Sequence, residues 1–327
     1  MSKSTAFPSR SKLTICFAHA AYQMADRFLA RDTGLRHFQV REAADLEARI
    51  GEADVVVASM MWKNHLLAKA PRLRFIQSIS AGIDQYDKAL LAEHGVRLAN
   101  AAGVNANAVA EHAMALTLAL MRQVHTGRDN QTAKVWRPMI SEIARREDEL
   151  AGKTMVVVGA GRIGARLVQL AKAFDLRVLA VRRDAAQGVA GADAVYPTAR
   201  LPELMATADI LVLACPLTAE TENLVDGRLL AQMKPAAMVI NVARGKVVDE
   251  AALIAALRDK RIACAGLDVT REEPLPQASP LWTMPNVLIT PHTAGETQRY
   301  EDRVIDLLLE NLDRLWRGET QLVNQII

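Results

Sequence analysis

The sequence has few cysteines, almost no net charge and no long hydrophobic run, and each of these shortages excludes a class of protein. Its three cysteines lie far apart, which excludes a disulfide framework and a thiolate metal site. The 40 Lys and Arg residues nearly balance the 37 Asp and Glu residues, so we expect neither nucleic acid nor a membrane as a partner. No segment approaches the roughly 18 uninterrupted apolar residues of a transmembrane helix. The seven histidines are scattered without the spacing of a metal site, so no bound metal is predicted.

The length of 327 residues exceeds that of one typical domain and predicts two domains. An apolar run at residues 13–18 follows basic residues, an arrangement that faintly resembles a secretory leader. A first buried strand explains the run equally well, and the cysteines show no adaptation to an oxidising compartment. We therefore expect a cytoplasmic protein in which Cys16, Cys215 and Cys264 are buried as small hydrophobic side chains.

Short β-branched segments alternate with amphipathic helical segments, which is the pattern of parallel strands joined by crossover helices. A first series of strands is predicted at residues 13–18, 54–58, 75–79 and 96–99. A second series is predicted at residues 154–158, 177–181, 210–214, 238–241, 262–267 and 287–289. Helical patterns cover residues 42–50, 105–123 and 298–316. The predicted fold class is α/β with two doubly wound parallel sheets.

A glycine-rich turn follows the strand predicted at residues 154–158. Gly159, Gly161 and Gly164 have the G-x-G-x-x-G spacing, between a strand and a helix, that is typical of dinucleotide-binding folds. The first glycine allows a tight turn, the second lets the backbone approach a pyrophosphate, and the third allows close helix packing. With Arg162 and Ile163, which begin the helix, they are predicted to bind a dinucleotide.

The end of the next predicted strand indicates which dinucleotide binds. NAD enzymes usually place an acid there, whereas this strand ends in Arg182 and Arg183, and Asp184 comes too late. Two guanidinium groups suit the 2′-phosphate of NADP, to which they can donate paired hydrogen bonds. We therefore predict NADP as the preferred cofactor and NAD as the alternative. The competing interpretation is that the arginines only cover the strand end or stack on the adenine.

Three later strands are each followed by a polar residue with catalytic potential, namely Arg244, Glu273 and His292. The carboxyl ends of parallel strands meet at one sheet edge, where open α/β sheets bind their ligands. Each of these residues alone would be an ordinary surface or buried polar group. Beside a dinucleotide site, the three together predict catalysis.

These motifs resemble those of the D-isomer-specific 2-hydroxyacid dehydrogenase family, which includes glyoxylate and hydroxypyruvate reductases. The resemblance covers nearly the whole chain and extends to residues 80–84, 100–111, 150–153 and 215–218. It implies a Rossmann cofactor domain at residues 104–298, inserted in a flavodoxin-like substrate domain made of residues 1–103 and 299–327. It also implies a homodimer formed through the cofactor domain.

The family mechanism, carried to the matching positions, implies a role for each polar residue. Arg244 would hold the substrate carboxylate and polarise its carbonyl oxygen, because its planar donors match a 2-oxo acid. His292 would donate a proton to that oxygen as hydride leaves the nicotinamide. Glu273 would pair with His292, orient its ring and favour the imidazolium.

Further contacts follow from the same resemblance. The backbone N–H groups of Ala81, Gly82 and Ile83 would bind the substrate carboxylate, the alternative being a plain turn. Asp268 would hydrogen-bond the nicotinamide carboxamide, the alternative being a turn aspartate. The remaining cofactor contacts are expected from Pro216, Thr221, Val242 and Ala243.

Two tryptophans and one departure from the family also bear on the site. Trp62 falls where relatives begin a substrate-facing loop, but core packing is the favoured interpretation. Trp136 and Arg137 lie in a loop that is similar to a dimer-facing segment of relatives. Thr270 replaces a more frequent aromatic residue.

The implied function is NADPH-dependent reduction of a small 2-oxo acid, such as glyoxylate or hydroxypyruvate, to the D-2-hydroxy acid. Two alternatives remain open on the same scaffold. One is a dinucleotide-sensing binding protein similar to the corepressor relatives, and the other is a phosphite dehydrogenase, since both keep the three polar residues.

Overall fold

The computed structural model describes residues 7–327, and these divide into two units. One unit contains the described chain up to Val104 together with Thr297–Ile327, and the other is Asn105–Glu296. The second unit is therefore an insertion between two parts of the first. The first six residues of the predicted substrate domain lie outside the described residues. No helix in the described part of the chain is long and apolar enough to cross a membrane.

The first unit is built on a five-stranded parallel sheet in the order β2-β1-β3-β4-β5. Its strands are β1 (Thr14–Ala18), β2 (Arg36–Val40), β3 (Val55–Ala58), β4 (Phe75–Ser78) and β5 (Arg97–Ala99). Its helices are α1 (Met24–Leu29), α2 (Ala43–Arg49), α3 (Lys88–Glu93) and, after the inserted unit, α10 (Tyr300–Trp316). Short 3₁₀ helices cover Ile50–Glu52 and Asn64–Lys69. This strand order is the flavodoxin-like form of a doubly wound sheet.

Each face of the first sheet has its own hydrophobic core, because successive strand residues point to opposite sides. Ile15 and Phe17 of β1 pack in the core that includes α1 and α10, whereas Cys16 packs in the core on the other face. Helix α10 contributes Val304, Leu308 and Leu312 at four-residue intervals, which align on one face of a helix.

A buried amide pair fixes α10 to the first sheet. Asn311 of α10 donates from Nδ2 to Oε1 of Gln77 in β4 over 2.9 Å, and both residues are fully buried. The hydroxyl of Tyr300 donates to the carbonyl oxygen of Ile79, just beyond β4. Buried amides and hydroxyls must be paired to be tolerated, so these contacts specify the position of the helix.

The second unit is built on a seven-stranded parallel sheet in the order β12-β11-β10-β9-β6-β7-β8. Its strands are β6 (Thr154–Val158), β7 (Arg177–Val181), β8 (Ala194–Tyr196), β9 (Ile210–Leu213), β10 (Met238–Asn241), β11 (Cys264–Leu267) and β12 (Val287–Ile289). Its helices are α4 (Ala106–Met121), α5 (Val124–Thr132), α6 (Arg162–Lys172), α7 (Leu201–Met205), α8 (Gly227–Leu230) and α9 (Glu250–Arg258). Its 3₁₀ helices are Ile143–Arg145, Ala185–Gln187, Thr198–Arg200, Gly245–Val247 and Pro280–Thr283.

The strand order of the second sheet is that of a Rossmann fold extended by one strand. The chain moves outward in one direction from β6 to β8 and then returns to the other side of β6 with β9. Loops that follow β6 and β9 therefore run in opposite directions and leave a crevice at the carboxyl edge of the sheet. One core, with α4 and α6, covers one face of this sheet, and a second core, with α7 to α9, covers the other.

The structure confirms the predicted fold class and adds two strands. The sequence analysis does not predict β2 or β8, which are edge strands of their sheets. Edge strands are partly exposed, and β2 accordingly carries Arg36, His37 and Gln39 instead of a continuous apolar run. Predicted ends elsewhere differ by one or two residues, as at β11, which begins at Cys264 instead of residue 262.

Candidate active site

The glycine-rich turn connects β6 to α6. Gly159 has a φ of +95°, and a Cβ at this position would clash with the backbone of Cys215 at the end of β9. A Cβ at Gly164 would clash with the carbonyl oxygen of Gly159. By contrast, a Cβ at Gly161 would meet no atom within 4 Å, so the space beside the helix N-terminus is open. The first turn of a helix presents N–H groups without helical acceptors, and this open turn therefore fits the pyrophosphate of a dinucleotide.

A cavity of about 520 Å³ opens at this turn, at the switch point between β6 and β9. Six residues predicted to bind the cofactor line it: Gly159, Gly161, Arg182, Arg183, Pro216 and Thr221. The other six lie outside this lining: Arg162, Ile163 and Gly164 begin α6, and Val242, Ala243 and Asp268 follow β10 and β11. The side chain of Thr221 donates to the carbonyl oxygen of Pro216 over 2.7 Å and so closes the turn that borders the cavity.

The two arginines at the end of β7 have different surroundings. Arg182 donates from its guanidinium to the carbonyl oxygen of Gly188 over 2.8 Å and to Oε1 of Gln187, so it holds the loop after the strand. Arg183 is exposed in the cavity wall and has no hydrogen bond from its side chain within residues 7–327. The carboxylate of Asp184 accepts the N–H of Ala186 and the amide of Gln187, so it caps the 3₁₀ helix Ala185–Gln187.

The three cysteine thiols are expected to be unreactive near neutral pH. Burial raises the pKa of Cys215, which lines the cavity, to about 11. Burial likewise raises the pKa values of Cys16 and Cys264 to about 12. Cys16 and Cys215 are buried as predicted, but Cys264 is only partly buried, because it begins β11. All three are thiols near neutral pH, the form that is not nucleophilic.

Arg244 follows β10 in extended conformation, positioned by its buried neighbour Asn241. The side chain of Asn241 accepts the N–H of Ala243 over 3.0 Å and donates to the carbonyl oxygen of Arg244 over 3.1 Å. The guanidinium of Arg244 makes one hydrogen bond, to the carbonyl oxygen of Ala243 over 2.7 Å. Within the described residues no carboxylate lies within 4 Å of it, so no acidic side chain of this part of the chain neutralises its charge.

Glu273 and His292 form a direct pair. Nδ1 of His292 lies 2.8 Å from Oε2 of Glu273, while Oε1 of Glu273 accepts the N–H of Thr270 over 3.2 Å. The two side chains remain 46% and 39% exposed, so a substrate can reach the ring. His292 has a φ of +56°, a left-handed conformation that is uncommon outside glycine and that clusters at functional sites.

The three predicted catalytic residues share one sheet edge. In the register of β10, β11 and β12, Asn241 is opposite Leu267 and Leu267 is opposite Ile289. The loop after β10 also packs directly against the loop after β11, because a Cβ at Gly245 would overlap the carbonyl group of Thr270. The loops that carry Arg244, Glu273 and His292 therefore begin side by side.

Asp268 is buried, and its carboxylate accepts hydrogen bonds from other residues of the protein. Oδ1 accepts the hydroxyl of Thr290 over 2.6 Å and the N–H of Thr293 over 3.0 Å, and Oδ2 accepts the N–H of Ala294 over 3.0 Å. These contacts match the alternative of a turn aspartate that shapes the His292 loop. Carboxylate oxygens carry about four acceptor sites, so one more donor such as a carboxamide can still be accommodated.

In the first unit, the loop 81–83 offers three backbone donors. The N–H groups of Ala81, Gly82 and Ile83 have no acceptor among the described residues. Its carbonyl groups are used instead: Asn100 donates to Ala81 over 2.8 Å, and the Ser80 hydroxyl donates to Gly82 over 3.0 Å. The loop is thus held through its acceptors while its donors remain available.

Both tryptophan positions have clear surroundings. Trp62 is fully buried in the first unit, 6.0 Å from the ring of Tyr86, so the interpretation of core packing is correct. Trp136 is 97% exposed in the second unit.

The sequence did not single out His112 and Thr290, which form a 2.8 Å contact although they are 178 residues apart in the chain. No local pattern could have joined them.

Comparisons with known proteins identify the family of the chain. The family model for the NAD-binding domain of D-isomer specific 2-hydroxyacid dehydrogenases matches residues 114–294. Glyoxylate reductase of Pyrococcus furiosus is 37% identical over 276 residues, which cover 82% of this chain and 80% of that enzyme.

Solved structures extend the similarity over both units. A D-isomer specific 2-hydroxyacid dehydrogenase family protein from Aeromonas salmonicida has a TM-score of 0.84 at 32% identity, covering 97% of this chain and 99% of that one. The D-isomer specific 2-hydroxyacid dehydrogenase from Xanthobacter autotrophicus, in complex with NADPH and MES, has a TM-score of 0.81 at 29% identity over 97% and 98% of the two chains. The present chain is therefore a nicotinamide-dependent oxidoreductase acting on CH–OH groups, and it belongs to the D-isomer specific 2-hydroxyacid dehydrogenase family.

Proposed function

We propose that this protein reduces a small 2-oxo acid, such as glyoxylate or hydroxypyruvate, to the D-2-hydroxy acid, with NADPH as the preferred reductant. The observation that carries the proposal is the 2.8 Å pairing of His292 with Glu273, at the same sheet edge as the unneutralised Arg244. A paired imidazole and a free guanidinium suit an anionic substrate whose carbonyl oxygen must take up a proton. The glyoxylate reductase of Pyrococcus furiosus supports glyoxylate as the first substrate to test.

The proposed reaction adds a hydride to the carbonyl carbon and a proton to the carbonyl oxygen. A bound reduced nicotinamide supplies the hydride and is oxidised. Arg244 binds the substrate carboxylate and stabilises the negative charge that develops on the carbonyl oxygen. Because Glu273 occupies Nδ1 of His292, Nε2 is the nitrogen that gives its proton to that oxygen. In the oxidation direction, the same nitrogen takes the proton back.

The proposal also assigns the loop 81–83 to the substrate carboxylate. Three backbone N–H groups without acceptors, in a loop held by Ser80 and Asn100, suit an anion. Gly82 leaves room for close approach because it lacks a side chain.

Arg183, rather than Arg182, is proposed to bind the 2′-phosphate of NADPH. Its side chain lines the cavity without a hydrogen bond in the described chain, whereas Arg182 is committed to the loop 187–188. The pKa of Glu220, across the cavity, is lowered first by the Thr218 hydroxyl and by its own backbone, and to a lesser degree by the charge of Arg183. Arg183 therefore adds positive charge to the cavity wall.

A panel of 2-oxo acids assayed with NADPH and NADH tests the reaction. We expect glyoxylate or hydroxypyruvate to give the highest kcat/KM, with NADPH better than NADH. Phosphite with the oxidised cofactors serves as the alternative substrate. Cofactor binding without turnover of any member of the panel contradicts the reductase and favours a dinucleotide-sensing protein.

A matched pair of arginine variants tests the cofactor preference. Arg183→Ser should lower kcat/KM with NADPH by about tenfold to hundredfold, since a charge-assisted hydrogen bond contributes roughly 1.5–3 kcal/mol. The value with NADH should stay unchanged. Arg182→Ser should affect both cofactors equally, because it loosens a shared loop. Equal or better kcat/KM of the unaltered enzyme with NADH overturns the preference.

We also propose that the second unit forms a homodimer through α5 and the segment that follows it. Helix α5 has no buried residue, which is unusual for a nine-residue helix that must stabilise itself by packing. Exposed apolar side chains continue beyond it, with exposures of 97% for Trp136, 98% for Met139 and 78% for Ile143. Large apolar side chains exposed at several positions of one segment indicate a protein interface, and a second copy is the partner that the resemblance implies.

Sedimentation velocity tests the dimer. The unaltered protein should sediment as a dimer, and Trp136→Glu should shift it toward monomer. Trp282→Glu is the matched control, because Trp282 is also exposed in the second unit but lies outside this segment. A monomeric unaltered protein, or equal effects of both variants, contradicts the proposed interface.

A further inference from the structure

A chain of hydrogen bonds connects helix α4 to the loop that carries His292. Nε2 of His112, on α4, lies 2.8 Å from Oγ1 of Thr290, and the Thr290 hydroxyl donates to Oδ1 of Asp268 over 2.6 Å. The carbonyl oxygen of Asp268 in turn accepts the N–H of His292 over 2.8 Å. His112 thus reaches the backbone of His292 through two intervening residues.

The chemistry of these groups fixes the direction of each hydrogen bond. The hydroxyl of Thr290 has a single hydrogen, which goes to the carboxylate of Asp268, an acceptor only. Oγ1 of Thr290 must therefore accept from His112, which requires a hydrogen on Nε2. Any replacement of His112 by a side chain without a donor leaves Oγ1 of Thr290 less well satisfied. It also removes the imidazole whose Nε2 lies 3.5 Å from Oδ1 of Asp268, a carboxylate that is only 2% exposed.

A second contact holds the other end of the same loop against α4. A Cβ at Gly295 would lie 2.7 Å from Nδ2 of Asn105, the residue that precedes the helix. Asn105 and His112 are seven residues apart, or about two helical turns, and so lie on the same face of α4. The loop 290–295 therefore rests on one helix face at both of its ends.

The backbone conformation of His292 requires support from the surrounding structure. Its φ of +56° is uncommon for a residue with a Cβ and persists only where the surroundings impose it. Asp268 imposes it by accepting the N–H groups of His292, Thr293 and Ala294. The contacts to Thr293 and Ala294 depend on the placement of the Asp268 carboxylate. Thr290 holds that carboxylate together with His112, whose Nε2 also lies 3.5 Å from Oδ1 of Asp268.

We propose that His112 is a positioning residue, whose Nε2–H acts through Thr290 and Asp268 to aim the ring of His292 at the substrate oxygen. This inference rests on the proposed function, in which His292 transfers the proton. Proton transfer depends steeply on the placement of donor and acceptor, so loss of the His112 contact should slow that step and leave binding intact.

Three variants assayed in the full-length protein test the proposal. His112→Leu removes the donor, His112→Gln keeps an N–H near the position of Nε2, and Thr290→Val removes the intermediate hydroxyl. We expect His112→Leu and Thr290→Val to lower kcat about tenfold, with KM for NADPH and for glyoxylate within about twofold. The solvent deuterium isotope effect on kcat should rise in both variants, because proton transfer becomes more rate-limiting. His112→Gln should restore kcat to within about threefold and return the isotope effect to its original value.

A merely structural role gives a different result. Loss of folded protein lowers the active fraction without changing the isotope effect, and glutamine then fails to restore it; that result overturns the proposal. An unchanged kcat in His112→Leu and Thr290→Val overturns it as well. His292→Gln, assayed in parallel, distinguishes failure of the proposed function from failure of the positioning role. If His292→Gln keeps full kcat, the proposed function of His292 is wrong. If His292→Gln loses kcat but His112→Leu and Thr290→Val do not, only the positioning role of His112 is wrong.

Discussion

Both parallel sheets are doubly wound, yet their carboxyl edges have different chemical characters. The edge of the second sheet carries ionisable side chains, Arg244, Glu273 and His292, in loops held by buried polar residues. The loop 81–83, after β4 of the first sheet, presents backbone N–H groups instead and is held by the neutral residues Ser80 and Asn100. The fold therefore supplies an edge, and the loop sequences decide whether side chains or backbone groups act there.

The two edges should therefore respond differently to substitution. A charged side chain that touches the reacting atoms can be removed by a single substitution, whereas a backbone donor cannot. Substitutions at the second edge should thus be severe and affect chemistry, and substitutions at the first edge should be milder and affect substrate binding.

The largest effect is expected for His292→Gln. Glutamine keeps the size and polarity of the side chain but cannot act as a general acid, so kcat should fall by about a thousandfold. Cofactor affinity, measured by fluorescence titration, should remain within about twofold, because the cavity lining does not include His292. If His292→Gln retained kcat, the claim that the edge of the second sheet carries out the chemistry would be contradicted.

Arg244→Lys should give the next largest effect. Lysine keeps the charge but loses the planar pair of donors, so kcat/KM for glyoxylate should fall by about tenfold to hundredfold. Lys246→Ala is the matched control, because Lys246 is an exposed cation two residues away and should change kcat/KM little. Steady-state kinetics on both variants checks the prediction, and equal losses would show that charge alone matters at this edge.

Asn100→Ala tests the prediction that the first sheet edge contributes to substrate binding. The substitution removes the hydrogen bond to the carbonyl oxygen of Ala81, and with it one of the contacts that hold the donor loop. One neutral hydrogen bond contributes about 1 kcal/mol, so KM for the 2-oxo acid should rise about fivefold while kcat changes less. A loss of kcat as large as that of Arg244→Lys would contradict the proposed division between binding and chemistry.

The smallest effect is expected from thiol alkylation. Burial raises the pKa of Cys215 to about 11, so at pH 7 only about one thiol in ten thousand is ionised. The thiol form persists as pH rises and is lost only near that raised pKa. Iodoacetamide at pH 7 should therefore leave activity unchanged and modify none of Cys16, Cys215 or Cys264, as measured by intact mass. Denatured protein, in which all three should react, is the control, and rapid inactivation of the folded enzyme would contradict the prediction.

The parts of the fold with strong local signals were predictable. β6, β7, β10 and β12 begin and end at the predicted residues, because each contains a short run of apolar, mostly β-branched side chains. β2 was not predicted because it is an edge strand in which polar residues interrupt the apolar ones. β8, at the edge of the other sheet, has only three residues, all of them partly exposed. The family assignment was equally accessible, since its motifs lie at strand ends and are read from consecutive residues.

The sequence alone determined the fold class, the glycine-rich turn and the identity of the three polar residues after β10, β11 and β12, because each depends on neighbours within a few positions. Only the tertiary structure decided that Arg182 is bound to its own loop while Arg183 makes no hydrogen bond within the described residues, and that Asp268 is joined to His112 through Thr290. These pairings depend on strand order, on loop packing and on the face that a distant helix presents. Such geometry is fixed by the assembled core and is not encoded in any local spacing of residues.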